Sequence, residues 1–189
     1  MILKHKQPID DQPSRFVISA FSNWHLSNNL PLLDMPCGFG RHSRLLSKFA
    51  CEVISADKDK DVFSNSWHST APRITPVVLN AEKDLPFKES AFSAIVVVHY
   101  YTPGLIAKLS GYLCPNGLLV IESFGGHGNN WEGLPKAGQV AEDLGSGFEV
   151  ILLKERIVGP KNNVSFKLVA RKKIAFTAKI DVETKGISL

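Results

Sequence analysis

The chain has 189 residues, of which 44% are hydrophobic and 21% are charged, the balance of an ordinary globular protein. This length suits one domain with a substantial core. The sequence contains no run of 18 or more apolar residues, and its start lacks the apolar stretch of a signal peptide, so we expect neither a membrane span nor a membrane partner. Its three cysteines show no CxxC spacing, which argues against a zinc knuckle or a disulfide framework and favours the cytoplasm.

Charge is unevenly distributed along the chain. Residues 1–149 carry 13 Lys and Arg against 15 Asp and Glu, a net charge of −2, whereas residues 150–189 carry 9 against 3, a net charge of +6. A basic end is typical of a protein that meets an anionic partner such as RNA. The alternative is a solvated pair of strands with a loose tail, because the cluster ARKK is too short for a binding arm.

The hydrophobic pattern predicts alternating helices and strands up to residue 124. A helix that begins at Pro13 should place four apolar residues on one face: Phe16, Ala20, Phe21 and Trp24. The strand PLLDM, the helix RHSRLLSKF and the strand CEVISAD follow, and then a helix through Phe63 and Trp67. The next strands are ITPVVLN, FSAIVVVHY and GLLVIESF, with a helix over residues 103–113 before the last. FSAIVVVHY is almost continuously apolar, as in a central parallel strand covered on both faces.

The pattern changes after a further helix over residues 135–144. Two strand-like runs, FEVILLKERIV and VSFKLVARKK, are joined by GPKNN, which is too short for a helical crossover. They should therefore pair antiparallel as a hairpin at the edge of the sheet. The expected fold is α/β: a doubly wound, mostly parallel, seven-stranded sheet with a C-terminal antiparallel hairpin. We expect one domain over residues 1–189, with its core at residues 13–172 and a tail or an added edge strand at residues 173–189.

The segment LLDMPCGFGRHSRLL, residues 32–46, has the outline of a nucleotide-cofactor loop between a strand and a helix. Nicotinamide and flavin sites use GxGxxG at this place, but only the first two glycines, Gly38 and Gly40, are present. The P-loop is excluded because no Gly-Lys-Ser/Thr sequence follows. Asp34 stands just before the turn, where its carboxylate would repel a pyrophosphate. S-adenosylmethionine, which carries a positive ammonium and sulfonium and no phosphate, tolerates that carboxylate.

Three segments in this order resemble class I S-adenosylmethionine-dependent methyltransferases: LLDMPCGFGRHSRLL, VISAD and NAEKDLPFKESAFSAIVV. The similarity runs from about Pro13 to Lys172, and the final hairpin is similar to the antiparallel strand that ends the family's sheet. Pro36 is a departure, because it stands where the family's loop has its first glycine, and proline lacks an N–H. The stretch after Glu122 is also similar to small bacterial methyltransferases of the tellurite-resistance type.

The resemblance implies cofactor roles for residues at the ends of the first four strands. Asp34 would hydrogen-bond the loop or approach the methionyl ammonium. Asp57 would bind the two ribose hydroxyls, although it could instead cap the following helix. Asn80 would read adenine where the family commonly has Asp. The other expected cofactor contacts are Pro36, Cys37, Gly38, Gly40, Arg41, Lys58, Ala81, His99 and Tyr100.

No catalytic cluster stands out in the sequence. Tyr101, Glu122 and His127 are candidates for contact with the methyl acceptor; the alternatives are aromatic packing, bracing of a loop and a plain connection. Methyl transfer requires mainly that nucleophile, methyl carbon and sulfur are held in line, so a general base is needed only if the acceptor starts protonated. No metal is expected.

The expected activity is therefore transfer of a methyl group by in-line displacement, with S-adenosylhomocysteine as the product. We expect a small-molecule acceptor, with a thiol or a softer chalcogen as first choice, and RNA as second choice. Two other classes stay open. One is a non-catalytic, cofactor-binding subunit of a partner enzyme. The other is a NAD-dependent oxidoreductase, which the missing third glycine and the acid before the loop oppose.

Overall fold

The computed structural model of the chain describes residues 11–22, 24, 29–124 and 131–174. Within these residues the strands are β1 (Leu32–Asp34), β2 (Val53–Asp57), β3 (Ile74–Val78), β4 (Phe92–Val98), β5 (Leu113–Glu122), β6 (Phe148–Val158) and β7 (Asn163–Lys172). The α-helices are α1 (Arg15–Ser22), α2 (Arg41–Leu46), α3 (Leu105–Tyr112) and α4 (Gln139–Leu144). None of the helices described is long and apolar enough to cross a membrane.

The strands form one sheet in the order β3-β2-β1-β4-β5-β7-β6. The pairs β3-β2, β2-β1, β1-β4 and β4-β5 are parallel, as expected for strands joined by crossovers. Strand β7 is antiparallel to both β5 and β6, so it is inserted between them and β6 forms the edge. The predicted doubly wound sheet with a C-terminal antiparallel hairpin is confirmed.

Two hydrophobic clusters cover the two faces of the sheet. Side chains of β4 alternate between them, because Ile95 and Val97 belong to one cluster and Ala94 and Val96 to the other. Helices α3 and α4 pack on the first face, and α1 and α2 pack on the second. In α1 the buried residues are Val17 and Phe21, and the other residues of the predicted face, Phe16, Ala20 and Trp24, pack against the same cluster. This arrangement explains the unbroken apolar run of β4.

Helix α4 begins at Gln139 rather than at residue 135, helix α2 ends at Leu46 rather than at Phe49, and two other elements differ more from the predicted ones. Instead of one helix through Phe63 and Trp67, the chain makes two 3₁₀ turns, Lys60–Phe63 and Trp67–Thr70, because Ser66 between them adopts a left-handed φ of +50°. Strand β5 starts at Leu113 rather than Gly117. Leu113 pairs with Phe92 and Leu118 pairs with Ala94, so the intervening residues of β5 bulge out of register.

Candidate functional site

Two adjoining cavities open at the carboxyl edge of the parallel strands. Strand β1 pairs with β2 on one side and with β4 on the other, and the carboxyl edge beside such a switch point is where α/β sheets bind ligands. The larger cavity has a volume of about 460 Å³ and the smaller one about 220 Å³. Pro36, Asp57 and Asp59 line both cavities, so one extended ligand can reach from one to the other.

Most of the residues expected to contact a cofactor lie along these cavities. The larger cavity is lined by Pro36, Cys37, Gly38, Arg41, Asp57 and His99, among others. The smaller cavity is lined by Pro36, Asp57, Lys58, Asn80, Ala81 and Tyr100, among others. Asp34 and Gly40 line neither cavity. The fold therefore brings ten of the twelve expected residues together, while their roles toward a ligand stay predictions.

Backbone hydrogen bonds hold the loop after β1 against its two neighbouring strands. The N–H of Met35 donates to the carbonyl of Val96 at 3.0 Å, and the N–H of Cys37 donates to the carbonyl of Ala56 at 2.9 Å. The Met35–Pro36 peptide bond is cis. Gly38 has a φ of +52°, and a Cβ atom built there would meet nothing within 4 Å. The backbone at Gly38 therefore faces open space in the larger cavity.

Position 40 requires a glycine because the Trp67 ring packs directly against it. The φ of Gly40 is +73°, and a Cβ atom there would lie 2.0 Å from the indole ring of Trp67. The Trp67 Nε1–H donates to the carbonyl of Val62 at 2.7 Å, which fixes the ring over the glycine. The group that packs closely against Gly40 is therefore the Trp67 ring of the protein itself. Because this ring is hydrogen-bonded to Val62, which lines the larger cavity, it also supports the wall of that cavity.

Asp57 is placed at the junction of the two cavities by its own hydrogen bonds. Its Oδ2 accepts the N–H of Gly38 at 2.9 Å, and its Oδ1 accepts the N–H of Asp59 at 3.0 Å. Each carboxylate oxygen has two lone pairs, so both oxygens keep a free acceptor position. The alternative role as a helix cap belongs to Asp59, whose side chain accepts the N–H of Asp61 at 2.9 Å.

Asp34 is fully buried behind the glycine loop. Its Oδ2 accepts the hydroxyl of Ser43 at 2.5 Å, and the Ser43 oxygen in turn accepts the hydroxyl of Ser55 at 2.7 Å. Among the described residues its Oδ1 has no hydrogen-bond partner. Burial raises the pKa of Asp34 to about 7, although the hydrogen bonds from Ser43 oppose the shift. The carboxyl therefore braces the turn from the α2 side.

The larger cavity also contains His42, to which the sequence had assigned no role. This residue is 3% exposed, and its Nε2 accepts the backbone N–H of Ser14 at 3.1 Å. Burial, with a further contribution from the charge of Arg41, lowers the pKa of His42 to about 4. The ring is neutral near pH 7, and its proton is assigned to Nδ1 because Nε2 is the acceptor. The sequence offered one signal for a role of His42, namely its position in the first turn of the helix that follows the glycine loop.

His99 stands at the end of β4 on the other side of the same cavity. It adopts a φ of +61°, its N–H donates to the carbonyl of Glu122 at 2.8 Å, and its ring lies 5.3 Å from that of Phe124. Partial desolvation, followed by the charge of Arg41, lowers the pKa of His99. The larger cavity thus presents two neutral imidazoles beside a guanidinium. Asp11, Asp59 and Val62 are further lining residues that sequence reasoning did not identify.

The candidate catalytic residues Tyr101 and Glu122 line neither cavity. The Tyr101 hydroxyl donates to Asp143 at 3.3 Å, and its ring packs edge-on against Phe166 at 5.5 Å. Burial, followed by the charge of Asp143, raises the pKa of Tyr101 to about 12. The Nζ of Lys167 lies 2.7 Å from Glu122 Oε1. Burial opposes ionisation of Glu122, but Lys167 and a hydrogen bond from Ser14 together outweigh it and hold the pKa below its ordinary value.

His127, the third candidate, lies outside the described residues, as do residues 175–189 of the expected tail. The described ranges contain no group of three or more His, Cys, Asp or Glu side chains arranged to hold a metal ion.

The smaller cavity has mainly apolar walls with polar groups at its rim. Met35, Leu79 and Ala81 supply apolar surface. Asn80 Oδ1 accepts the N–H of Glu82 at 2.9 Å, which folds the segment after β3 into a tight turn. The Nζ of Lys58 lies 3.8 Å from Glu82 Oε1, with both side chains more than half exposed. A flat ring with polar edges suits such a cavity.

Comparison with known proteins agrees with this geometry. Residues 33–121, from β1 to β5, match the family model described as a methyltransferase domain. An S-adenosylmethionine-dependent methyltransferase from Mesorhizobium loti has a TM-score of 0.63 at 14% identity, over 82% of this chain and 96% of that one. The N-methyltransferase NodS from Bradyrhizobium japonicum WM9 has a TM-score of 0.61 at 15% identity, over 84% and 93%.

Two other matches limit what can be carried over. The 4+2 cyclase SpnF has a TM-score of 0.65 at 16% identity, over 85% of this chain and 81% of that one, so the fold alone does not fix the reaction. An extracellular metalloproteinase from Pyrenophora tritici-repentis is 32% identical over 77 residues. That match covers 39% of this chain and 12% of that protein, and this chain contains no HExxH zinc motif.

The family match covers the strands and loops that form both cavities, and the structural matches extend the shared fold over most of the chain. Together they show that this chain has the fold of these S-adenosylmethionine-dependent methyltransferases and that residues 33–121 match a methyltransferase-domain model.

Proposed function

We propose that this protein transfers a methyl group from S-adenosylmethionine to a small-molecule acceptor. The observation that carries the proposal is the position of Asp57, whose carboxylate lies where the two cavities meet and keeps acceptor capacity on both oxygens. When bound, S-adenosylmethionine supplies a methyl group on a cationic sulfur, and its transfer to a nucleophile leaves neutral S-adenosylhomocysteine.

The residues present fit such a cofactor. Asp57 would accept the ribose hydroxyls, and the smaller cavity would take the adenine. The open backbone at Gly38 would face the methionyl group in the larger cavity. Asp57 and Asp59 bring two carboxylates to the junction of the cavities, while Asp11 is paired with Arg44; the two carboxylates favour a ligand with positive charge there and oppose a pyrophosphate.

The acceptor would enter the part of the larger cavity that is bounded by Arg41, His42 and His99. A volume of about 460 Å³ lies within the range of small-molecule sites, which supports a small acceptor beside the methionyl group. His99 is neutral near pH 7, so it can take a proton from an acceptor such as a thiol, whereas His42 has its Nε2 engaged by the N–H of Ser14 and a pKa of about 4. The chain's own contribution is to orient the nucleophile and to receive its proton.

RNA is a second candidate acceptor, supported by the exposed cations Lys154 and Arg156 on the edge strand β6. Other cations of the hairpin are already engaged. The Nζ of Lys172 donates to the carbonyls of Ser110 and Leu113 at 2.7 and 2.8 Å, and Arg171 lies 3.6 Å from Glu149. The basic end of the chain therefore has partly structural uses, which favours the small molecule.

Calorimetric titration with S-adenosylmethionine tests the cofactor assignment. Asp57→Ala should weaken binding by about 2–4 kcal/mol, because one or two hydrogen bonds to a charged acceptor are lost. Asp84→Ala is the matched control, since Asp84 is exposed and lines neither cavity. Equal affinities for the Asp57→Ala variant and the parent protein would contradict the ribose assignment, provided that thermal melting shows both to be folded.

Labelled methyl transfer tests the acceptor class. The isolated chain, given S-adenosylmethionine with a labelled methyl group, should label a component of a small-metabolite extract and should not label total RNA. Label in RNA alone would reverse the choice of acceptor. Cofactor binding without any transfer, together with recovery of activity on addition of a co-purified partner, would favour a non-catalytic subunit.

A further inference from the structure

We propose that the hydroxyl of Tyr100 hydrogen-bonds the adenine ring of the cofactor and so contributes to recognition of the base. This inference rests on the proposed function, because it assigns the smaller cavity to adenine. It adds a specific donor from the segment after β4 to the groups after β2 and β3 that surround the same cavity.

The first observation is the state of the Tyr100 hydroxyl. Tyr100 lines the smaller cavity, its oxygen is buried, and no hydrogen-bond partner for it exists among the described residues. A buried hydroxyl without a partner costs free energy, so native proteins pair nearly all such groups. An orphaned hydroxyl in the wall of a cavity is therefore the expected state of a group whose partner is a ligand.

The second observation is the side on which this oxygen lies. Glu82 lines the same cavity, and burial followed by the Glu82 charge raises the pKa of Tyr100. The charge of Glu82, at the rim of the smaller cavity, therefore acts on the phenol of Tyr100. Because the raised pKa keeps the phenol protonated, Tyr100 offers both an O–H donor and an acceptor lone pair.

The third observation is that several other polar groups of this wall are already engaged. The Oδ1 of Asn80 accepts the N–H of Glu82, and the carbonyl of Ala81 accepts the ammonium of Lys108 at 3.0 Å. Glu82 in turn lies beside Lys58. Adenine presents ring nitrogens that accept hydrogen bonds and an amino group that donates them. The Tyr100 hydroxyl is complementary to either kind of edge atom.

The neighbouring Tyr101 supplies a matched control. Its hydroxyl is bonded to Asp143, its ring packs on Phe166, and it lines neither cavity. Removal of the two hydroxyl groups, one at a time, makes the same chemical change at adjacent positions. Removal of the Tyr100 hydroxyl should weaken ligand binding without lowering stability. Removal of the Tyr101 hydroxyl should lower stability without changing ligand affinity.

The experiment measures S-adenosylhomocysteine affinity by calorimetry and thermal stability without ligand for the parent protein, Tyr100→Phe and Tyr101→Phe. Tyr100→Phe should bind S-adenosylhomocysteine about three- to tenfold more weakly, the effect of one neutral hydrogen bond, with unchanged or higher thermal stability. Tyr101→Phe should melt at a lower temperature and bind with the affinity of the parent protein. A Tyr100→Phe variant that binds as tightly as the parent would overturn the inference and leave the proposed function intact.

Analogues of S-adenosylhomocysteine with one ring nitrogen replaced by C–H identify the contact. If the hydroxyl donates to a ring nitrogen, the affinity difference between the parent protein and Tyr100→Phe should vanish for one of the 1-deaza, 3-deaza and 7-deaza analogues. A difference that persists with all three supports a contact to the amino group. If the parent protein binds no S-adenosylhomocysteine at all, the proposed function itself is refuted, and the inference with it.

Discussion

The two cavities are built from different kinds of contact. In the smaller one, a short-range hydrogen bond between Asn80 and Glu82 shapes the segment after β3, and Lys108 then fastens that segment at Ala81. The larger one depends on contacts between segments that are far apart in sequence, since Ser14 bonds His42 across 28 residues and Asp11 pairs with Arg44 across 33. Local turns can be read from a sequence, whereas long-range contacts require the fold. The smaller cavity is therefore better defined by sequence than the larger one.

The largest expected effect concerns the buried acid behind the larger cavity. The pKa of Asp34 is about 7 in the folded chain against an ordinary value of 3.8. The Asp34 carboxylate therefore binds a proton more tightly in the folded chain than in the unfolded chain. Its contribution to stability is complete below about pH 3.8 and is lost as the pH rises through about 7, a change of up to about 4 kcal/mol.

Replacement of Asp34 by Asn should therefore remove this dependence. The stability of the parent protein relative to Asp34→Asn should fall by about 3 kcal/mol between pH 5 and pH 8, measured by urea unfolding. His42 contributes a term of opposite sign, because its lowered pKa destabilises the fold as the pH falls from 6.5 to about 4, but that term is common to both proteins. A difference that does not change with pH would show that Asp34 ionises normally.

The next effect separates the two glycines of the loop. Gly40→Ala should lower the free energy of unfolding by about 3 kcal/mol or more, because the new Cβ would overlap the Trp67 ring at a left-handed φ. Gly38→Ala should cost only about 1 kcal/mol, since its Cβ meets open space and only the φ is unfavourable. Urea unfolding of both variants measures the difference. Equal losses would mean that Trp67 moves aside without cost.

The smallest effect is expected at the rim of the smaller cavity. Lys58→Met removes the exposed ion pair with Glu82, and it should change the free energy of unfolding by less than about 0.5 kcal/mol. Because methionine keeps an apolar stem at this position, S-adenosylhomocysteine affinity should stay within about twofold of the parent value. A large loss of affinity, seen by calorimetry, would assign a binding role to the ammonium group itself.

The sheet was predictable because its strands carry strong local signals. The unbroken apolar run of β4 identified a central strand, and the turn-rich link GPKNN identified the β6-β7 hairpin, whose first strand runs from Phe148 to Val158 as predicted. The 3₁₀ turns around Phe63 and Trp67 were not predictable, because they depend on a left-handed Ser66 and on the packing of Trp67 over Gly40.

The site was predictable where it follows strand ends. Asp57, Asn80 and His99 follow or end strands, and all three lie along the cavities. His42 was missed because its burial depends on the segment before α1, which no local pattern relates to the glycine loop. Tyr100 and Tyr101 are adjacent and chemically identical, so only the packing of Tyr101 against Phe166 distinguishes their roles.

The insertion of β7 between β5 and β6 has a consequence for synthesis of the chain. Glu122 is translated 45 residues before Lys167, its partner across the β5-β7 pair. Ser123 is translated 43 residues before Phe166, whose N–H donates to the Ser123 hydroxyl at 2.7 Å. Until then β5 is an open edge beside a finished parallel half-sheet. A ribosome-bound chain that has not yet reached β7 therefore exposes the unpaired edge of β5. Because such an edge can pair with other chains, we expect these intermediates to depend on chaperones.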